Sequence, residues 1–197
     1  MRLYRANIRL SLAFLATISI FEVVLRNKID THYKHQFLPS PQAQEWLLAS
    51  IRPGGFLTSP GCKKTFSKIE AAYTSLGNNY THGKLLAELS FGTWKFMFAG
   101  NQFRAGGNSL LKNFPCLPPH HNQGNIYARL NRINSIRNRV AHHEPICFGM
   151  GNTIATVYAR NHFQDIIDLF TWMGVGYKEI LSGIDGVLKS ADYIDAI

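Results

Sequence analysis

Residues 126–145 read I-Y-A-R-L-N-R-I-N-S-I-R-N-R-V-A-H-H-E-P. Ile126, Leu130, Ile133, Ile136 and Val140 recur every three or four positions, which is the spacing of one buried face of an α-helix. Pro145 cannot continue that helix. The same periodicity dominates outward in both directions, and alternating β-branched runs are scarce, so the chain is predicted to be all-α. Upstream, residues 3–36 read as one long helix ended by Pro39 and Pro41. A short helix follows around 42–51, then a Gly/Pro-rich loop through Gly61. Residues 62–76 place Phe66, Ile69, Tyr73 and Leu76 on one face. Thr81-His82-Gly83 opens a heavily apolar helical stretch in which Gly92 marks a bend or a close helix contact. Residues 100–125 read as loop, and helical stretches over 152–181 and 183–195 close the chain.

With 197 residues, 46% of them apolar, the chain has enough material for one core, and residues 1–197 are expected to form a single domain. Trp94, Phe96, Met97 and Phe98 fit that core better than a base-stacking surface. The formal charge is +9, and it is unevenly spread. Residues 161–197 hold Asp165, Asp168, Glu179, Asp185, Asp192 and Asp195 against Lys178 and Lys189, so the basic excess lies before them. Such a balance suits a polyanionic partner such as RNA. Cys62, Cys116 and Cys147 are too far apart for a C-x-x-C pair and are odd in number, which predicts a reducing, cytoplasmic setting. The apolar run from Leu10 to Phe21 follows Arg2, Arg5 and Arg9 but spans only twelve residues, and Glu22 stands where a cleavage site would be. A core helix is therefore expected, and no membrane span.

Arg129, Arg132, Arg137 and Arg139, with His142 and His143, meet no acid until Glu144. On one helix they form a cationic strip beside the apolar seam. Asn138 and His142 lie about 40° apart around that helix and Arg137 about 140° from His142, so the length of the arginine has to bridge the gap. Composition alone yields R-N-x-x-x-H only about 0.03 times in a chain like this. The structural reading of these residues is capping and helix bridging; the functional one is phosphate and proton chemistry. Glu22 and Arg26, four apart, read either as a strut for the first helix or as cleft lining. His120-His121 and His142-His143 lack the carboxylate or cysteine spacing of a metal cage, so no metal or other cofactor is expected. Asp165 and Asp168 read as a solvated face. The P-loop, dinucleotide-binding and nucleophile-elbow patterns are absent.

The segment Arg137-Asn138-Arg139-Val140-Ala141-His142-His143-Glu144-Pro145-Ile146 resembles the signature of the Abi-like abortive-infection proteins of the HEPN superfamily. Three further segments are similar to that family and occur in its order: Tyr4–Asn7, Phe21–Asn27 and Ala87–Trp94. The resemblance covers about residues 4–180. It implies a HEPN-like helical bundle with additional helices and long loops, paired as a homodimer, and metal-independent RNA cleavage in a bacterial abortive-infection or toxin effector. By motif position it assigns catalysis to Arg137, Asn138 and His142. Glu22, Arg26 and Asn27 match a second family segment, and Arg132, Arg139 and His143 stand beside the motif as substrate-binding or supporting residues. An RNA or protein antitoxin is an implied partner. The alternative is a non-catalytic module that binds a regulatory RNA or a partner protein through the same basic helix.

Overall fold

The computed structural model describes residues 1–149, 153–184 and 186–197. The chain is all-α. Its helices are α1 (Arg2–Gln36), α2 (Trp46–Ala49), α3 (Lys63–Leu76), α4 (His82–Glu88), α5 (Phe91–Phe96), α6 (Gly100–Ala105), α7 (Gln123–Ala141), α8 (Val157–Trp172), α9 (Tyr177–Ile180) and α10 (Val187–Asp195), with short 3-10 turns between several of them. The only β pairing among the described residues is an isolated bridge between Phe148 and Ile154.

Contacts divide the chain into two compact units. The first comprises Met1–Val23, Cys116–Pro118 and Ala128–Ile197. Its core is built from Leu10, Phe14, Ile18 and Phe21 of α1, Leu130, Ile133, Ile136 and Val140 of α7, and Phe163, Ile166, Leu169 and Phe170 of α8, all buried. Phe14 meets Phe163 edge to face at 6.5 Å, and Phe21 meets Phe170 in the same way at 5.2 Å. Burying a side chain of this size contributes about 1.5–3 kcal/mol, so the seam read from the sequence anchors α7 firmly. Here α1 is apolar on both faces, since Tyr4, Ile8, Leu12 and Leu15 remain exposed opposite the buried stripe. By length and composition α1 is also long and apolar enough to cross a membrane, although the apolar run within it is short.

The second unit comprises Val24–Pro115 and Pro119–Tyr127. Its polar hub is the carboxylate of Asp30, which accepts hydrogen bonds from Trp46 Nε1 at 2.8 Å, His82 Nε2 at 2.6 Å and Lys34 Nζ at 2.7 Å. Burial works to raise the pKa of Asp30, but those three donors outweigh it and hold the carboxyl at about 2.

Several boundaries depart from expectation. The break in the apolar stretch falls at Leu89-Ser90, not at Gly92, because both residues are extended and Ser90 starts a new helix. The supposed loop over 100–125 contains α6, whose Gln102 and Phe103 are buried. The motif helix begins at Gln123 because Asn122 caps it: Asn122 Oδ1 accepts from the amides of Gly124 and Asn125, while Asn125 Oδ1 accepts from the Asn122 amide. That reciprocal pair is a capping box written in asparagine. The helix expected over 152–181 resolves into α8 and α9. Asn152, and Asp185 of the last expected helix, lie outside the described residues.

Candidate functional site

The motif helix α7 carries four arginines, and three of them are already engaged. Arg132 grips Asp165 with both ends of its fork, Nε to Oδ2 at 2.6 Å and Nη2 to Oδ1 at 2.7 Å. Arg129 Nη1 reaches Asp165 Oδ1 at 2.5 Å and Asp168 Oδ2 at 2.9 Å, and its guanidinium lies 4.5 Å from the centre of the Trp172 ring. Asp165 is only 4% exposed, so it is not the solvated carboxylate that the sequence suggested. It is a buried charge that α7 neutralises through charge-assisted bonds. Arg139 donates to Glu144 Oε2 at 3.2 Å and to the Pro145 carbonyl at 2.6 Å, and stacks 4.9 Å from the Tyr158 ring centre. Elsewhere in the same unit Arg160 is held by Asp192 and Asp195 at 2.7 and 2.9 Å. Much of the acidic C-terminal segment is therefore turned inward onto arginines of this unit.

The last turn of α7 is different. Arg137 is half-buried, and Asn138 and His142 are exposed. None of these three side chains has a hydrogen-bond or ion-pair partner among the described residues. The His142 amide donates to the Asn138 carbonyl at 2.9 Å, which keeps both residues on the helix and four positions apart on one side of it. The helix then ends in a Schellman turn. The His143 amide donates to the Val140 carbonyl at 3.1 Å and the Glu144 amide to the Arg139 carbonyl at 2.8 Å, with His143 in the left-handed region at φ 58°. The Arg139–Glu144 ion pair spans the same two positions where this turn usually has an apolar contact. His143 is thus exposed and serves as the pivot of the turn.

Past the turn, the Ile146 amide donates to Asn7 Oδ1 at 3.0 Å in a buried bond. Asn7 falls in the Tyr4–Asn7 segment, but the sequence assigns it no role; the available signal is a polar residue on the buried stripe of an otherwise apolar helix. Two more residues escaped in the same way. Tyr158 supports Arg139 on one side and lies against His162, with ring centres 4.1 Å apart. His162 Nδ1 bonds the Tyr158 carbonyl at 2.7 Å, and burial pushes its pKa below the usual imidazole value despite that bond. The pairing of Asp165 and Asp168 with Arg129 and Arg132 also had a trace in the sequence, since D-x-x-D and R-x-x-R share one spacing on two amphipathic helices.

Of the supporting residues on α1, Glu22 and Arg26 are half-buried and Asn27 is exposed. No hydrogen bond or ion pair engages the Arg26 side chain among the described residues. Glu22 belongs to the first unit and Arg26 and Asn27 to the second. Among the described residues, no group of three or more His, Cys, Asp or Glu is arranged to hold a metal. What the last turn of α7 offers chemically is a half-buried guanidinium and an exposed amide and imidazole, none engaged by another side chain among the described residues. Comparison of the chain with family models, with curated proteins and with solved structures finds no match.

Proposed function

We propose that this protein is a HEPN-type endoribonuclease of the Abi-like group, a cytoplasmic abortive-infection or toxin effector that cuts RNA without a metal. One observation carries the reading. On a helix whose other arginines are pinned by acids or a carbonyl, Arg137 keeps a guanidinium with no acid partner among the described residues, beside the equally unengaged side chains of Asn138 and His142 at the helix end.

In the proposed reaction the ribose 2′-oxygen attacks the adjacent phosphorus. The bond from phosphorus to the 5′-oxygen breaks, leaving a 2′,3′-cyclic phosphate and a 5′-hydroxyl. A base must take the 2′-proton and an acid must protonate the leaving oxygen. His142 can do either, because one ring nitrogen of an imidazole accepts a proton while the other can donate one. Arg137 can hold two phosphate oxygens and stabilise the crowded phosphorane, and Asn138 orients the imidazole or a ribose hydroxyl. One motif supplies one imidazole, so the proposal includes a homodimer whose two motifs share one scissile phosphate.

The test compares wild-type protein with His142→Ala in cells and in purified form. Loss of growth inhibition and of RNA cleavage with retained RNA binding, and wild-type cleavage that survives a chelator, are the expected results. Wild-type protein that retains RNA on a filter yet leaves it whole would place it instead among non-catalytic binding modules.

A further inference from the structure

A second polar surface lies in the other unit. An open groove of about 500 Å³ runs along the C-terminal turns of α1, lined by Asn27, Lys28, Thr31, His32 and His35 and walled by Asn113. No carboxylate lines it among the described residues. The nearby acid on α1, Asp30, is turned to Lys34, Trp46 and His82. The lining offers an ammonium, a hydroxyl, two imidazoles and two amides. Asn113 Nδ2 is buried and meets no acceptor among the described residues.

His32 shows how the groove is charged. Its Nε2 is fixed by Gln36 Oε1 at 3.0 Å and Ser109 Oγ at 2.8 Å, and Ser109 Oγ donates to Gln36 Oε1 as well. Burial lowers its pKa, the bond to Gln36 opposes that, and the charges of Lys112 and His35 lower it further. Lys112 on the 3-10 turn Leu110–Asn113 and His35 on α1 thus both act on this imidazole.

We infer that this groove binds the phosphodiester backbone of a single-stranded nucleic acid, with Lys28, His35 and the Asn113 amide as its main contacts. Length selects a chain of phosphates over a lone anion. From Asn27 to His35 the lining covers about 12 Å of helix axis, more than one phosphate or carboxylate can occupy. The inference takes its ligand from the RNA reading above, but the groove shares no residue with the R-N-x-x-x-H motif and can be tested without cleavage.

The probe is a 2′-O-methyl oligouridylate, which lacks the attacking hydroxyl and so stays intact. Lys28→Glu is expected to weaken its binding about tenfold and to reduce the slope of log affinity against log salt by about 0.7, the value for one lost single-strand phosphate contact. Asn113→Leu is expected to cost about threefold. The imidazole proton signals of His32 and His35 should move on addition of the oligonucleotide in the wild type. Inorganic phosphate and uridine monophosphate form separate arms. Binding of either as tightly as the oligonucleotide would identify a free phosphate group, not a strand, as the occupant and overturn the backbone assignment. Unchanged affinity and salt slope in both variants, with thermal melts intact, would overturn the groove altogether. If the variants weaken binding while the wild type cuts no RNA, the groove stands and the nuclease reading falls. If RNA is cut and neither variant affects binding, the reverse holds.

Discussion

Arg129 and Arg132 on the first half of α7 share the carboxylate of Asp165, whereas Arg137, two turns beyond Arg129, has no acid to hold it among the described residues. The same residue type on one helix is structural at one end and available at the other. What separates them is the neighbouring helix. Alongside Arg129 and Arg132, α8 presents Asp165 and Asp168; its N-terminal half, nearer Arg139, presents Tyr158 and His162. Density of positive charge in a sequence therefore says little about charge on offer until the acids are placed.

The strongest way to break this contrast is His142→Ala. Under the proposed function, losing this imidazole slows RNA cleavage by roughly 10²–10⁴-fold, while an exposed site of this kind shifts stability by no more than about 0.5 kcal/mol. Cleavage assays beside urea melts measure both, and a stability loss as large as the activity loss would make His142 a structural residue.

Asp165→Ala inverts the pattern. Two guanidinium groups lose a buried counter-charge, with an expected cost of about 3 kcal/mol, readable as a lowered urea midpoint. Residual activity per folded molecule should stay near wild type if the clamp only supports α7.

Acid acts on both units near neutrality and, at lower pH, on the Asp30 hub of the second, with smaller effects. His162 in the first unit and His32 in the second both have pKa values lowered by burial. The unfolded chain binds those protons more readily, so stability is full above about pH 6.5 and falls as pH drops below it, by at most about 1.4 kcal/mol per histidine per pH unit. Asp30, held at about 2, acts in a different window: its contribution is present above its ordinary value of 3.8 and is lost between there and about pH 2. Thermal melts from pH 8 to 2 should show two separate declines, and His162→Gln should reduce the first to the share of His32 and leave the second unchanged.

The smallest effect sharpens the role of the turn. His143 adopts a left-handed conformation that glycine takes without steric cost, so His143→Gly is expected to gain about 0.5–1 kcal/mol. Unchanged cleavage in that variant would separate the pivot from the chemistry, and lost cleavage would return His143 to the site.

These contrasts also mark what the chain reveals unaided. The extent of α1, the range of α3 and the buried seam of α7 follow from periodicity, because each helix repeats its apolar face often enough to be read locally. α6 is hidden because its six residues are too few to repeat a pattern, and the start of α7 because Asn122 and Asn125 form a capping box without the usual serine and glutamate. The R-N-x-x-x-H residues are legible because they lie within one turn and a half. The Asp165 clamp and the Asn7–Ile146 bond are not, since their partners stand 33 and 139 positions apart and only folding brings them together.

The Asn7 bond has a practical consequence for handling this protein. Trimming the first turns of α1, an edit that touches nothing near position 142 in the sequence, would unhook the segment that leaves the motif helix and leave a buried amide at Ile146 without its acceptor. Loss of function in a shortened chain would then report a loosened tether and say nothing about the reagents of the reaction.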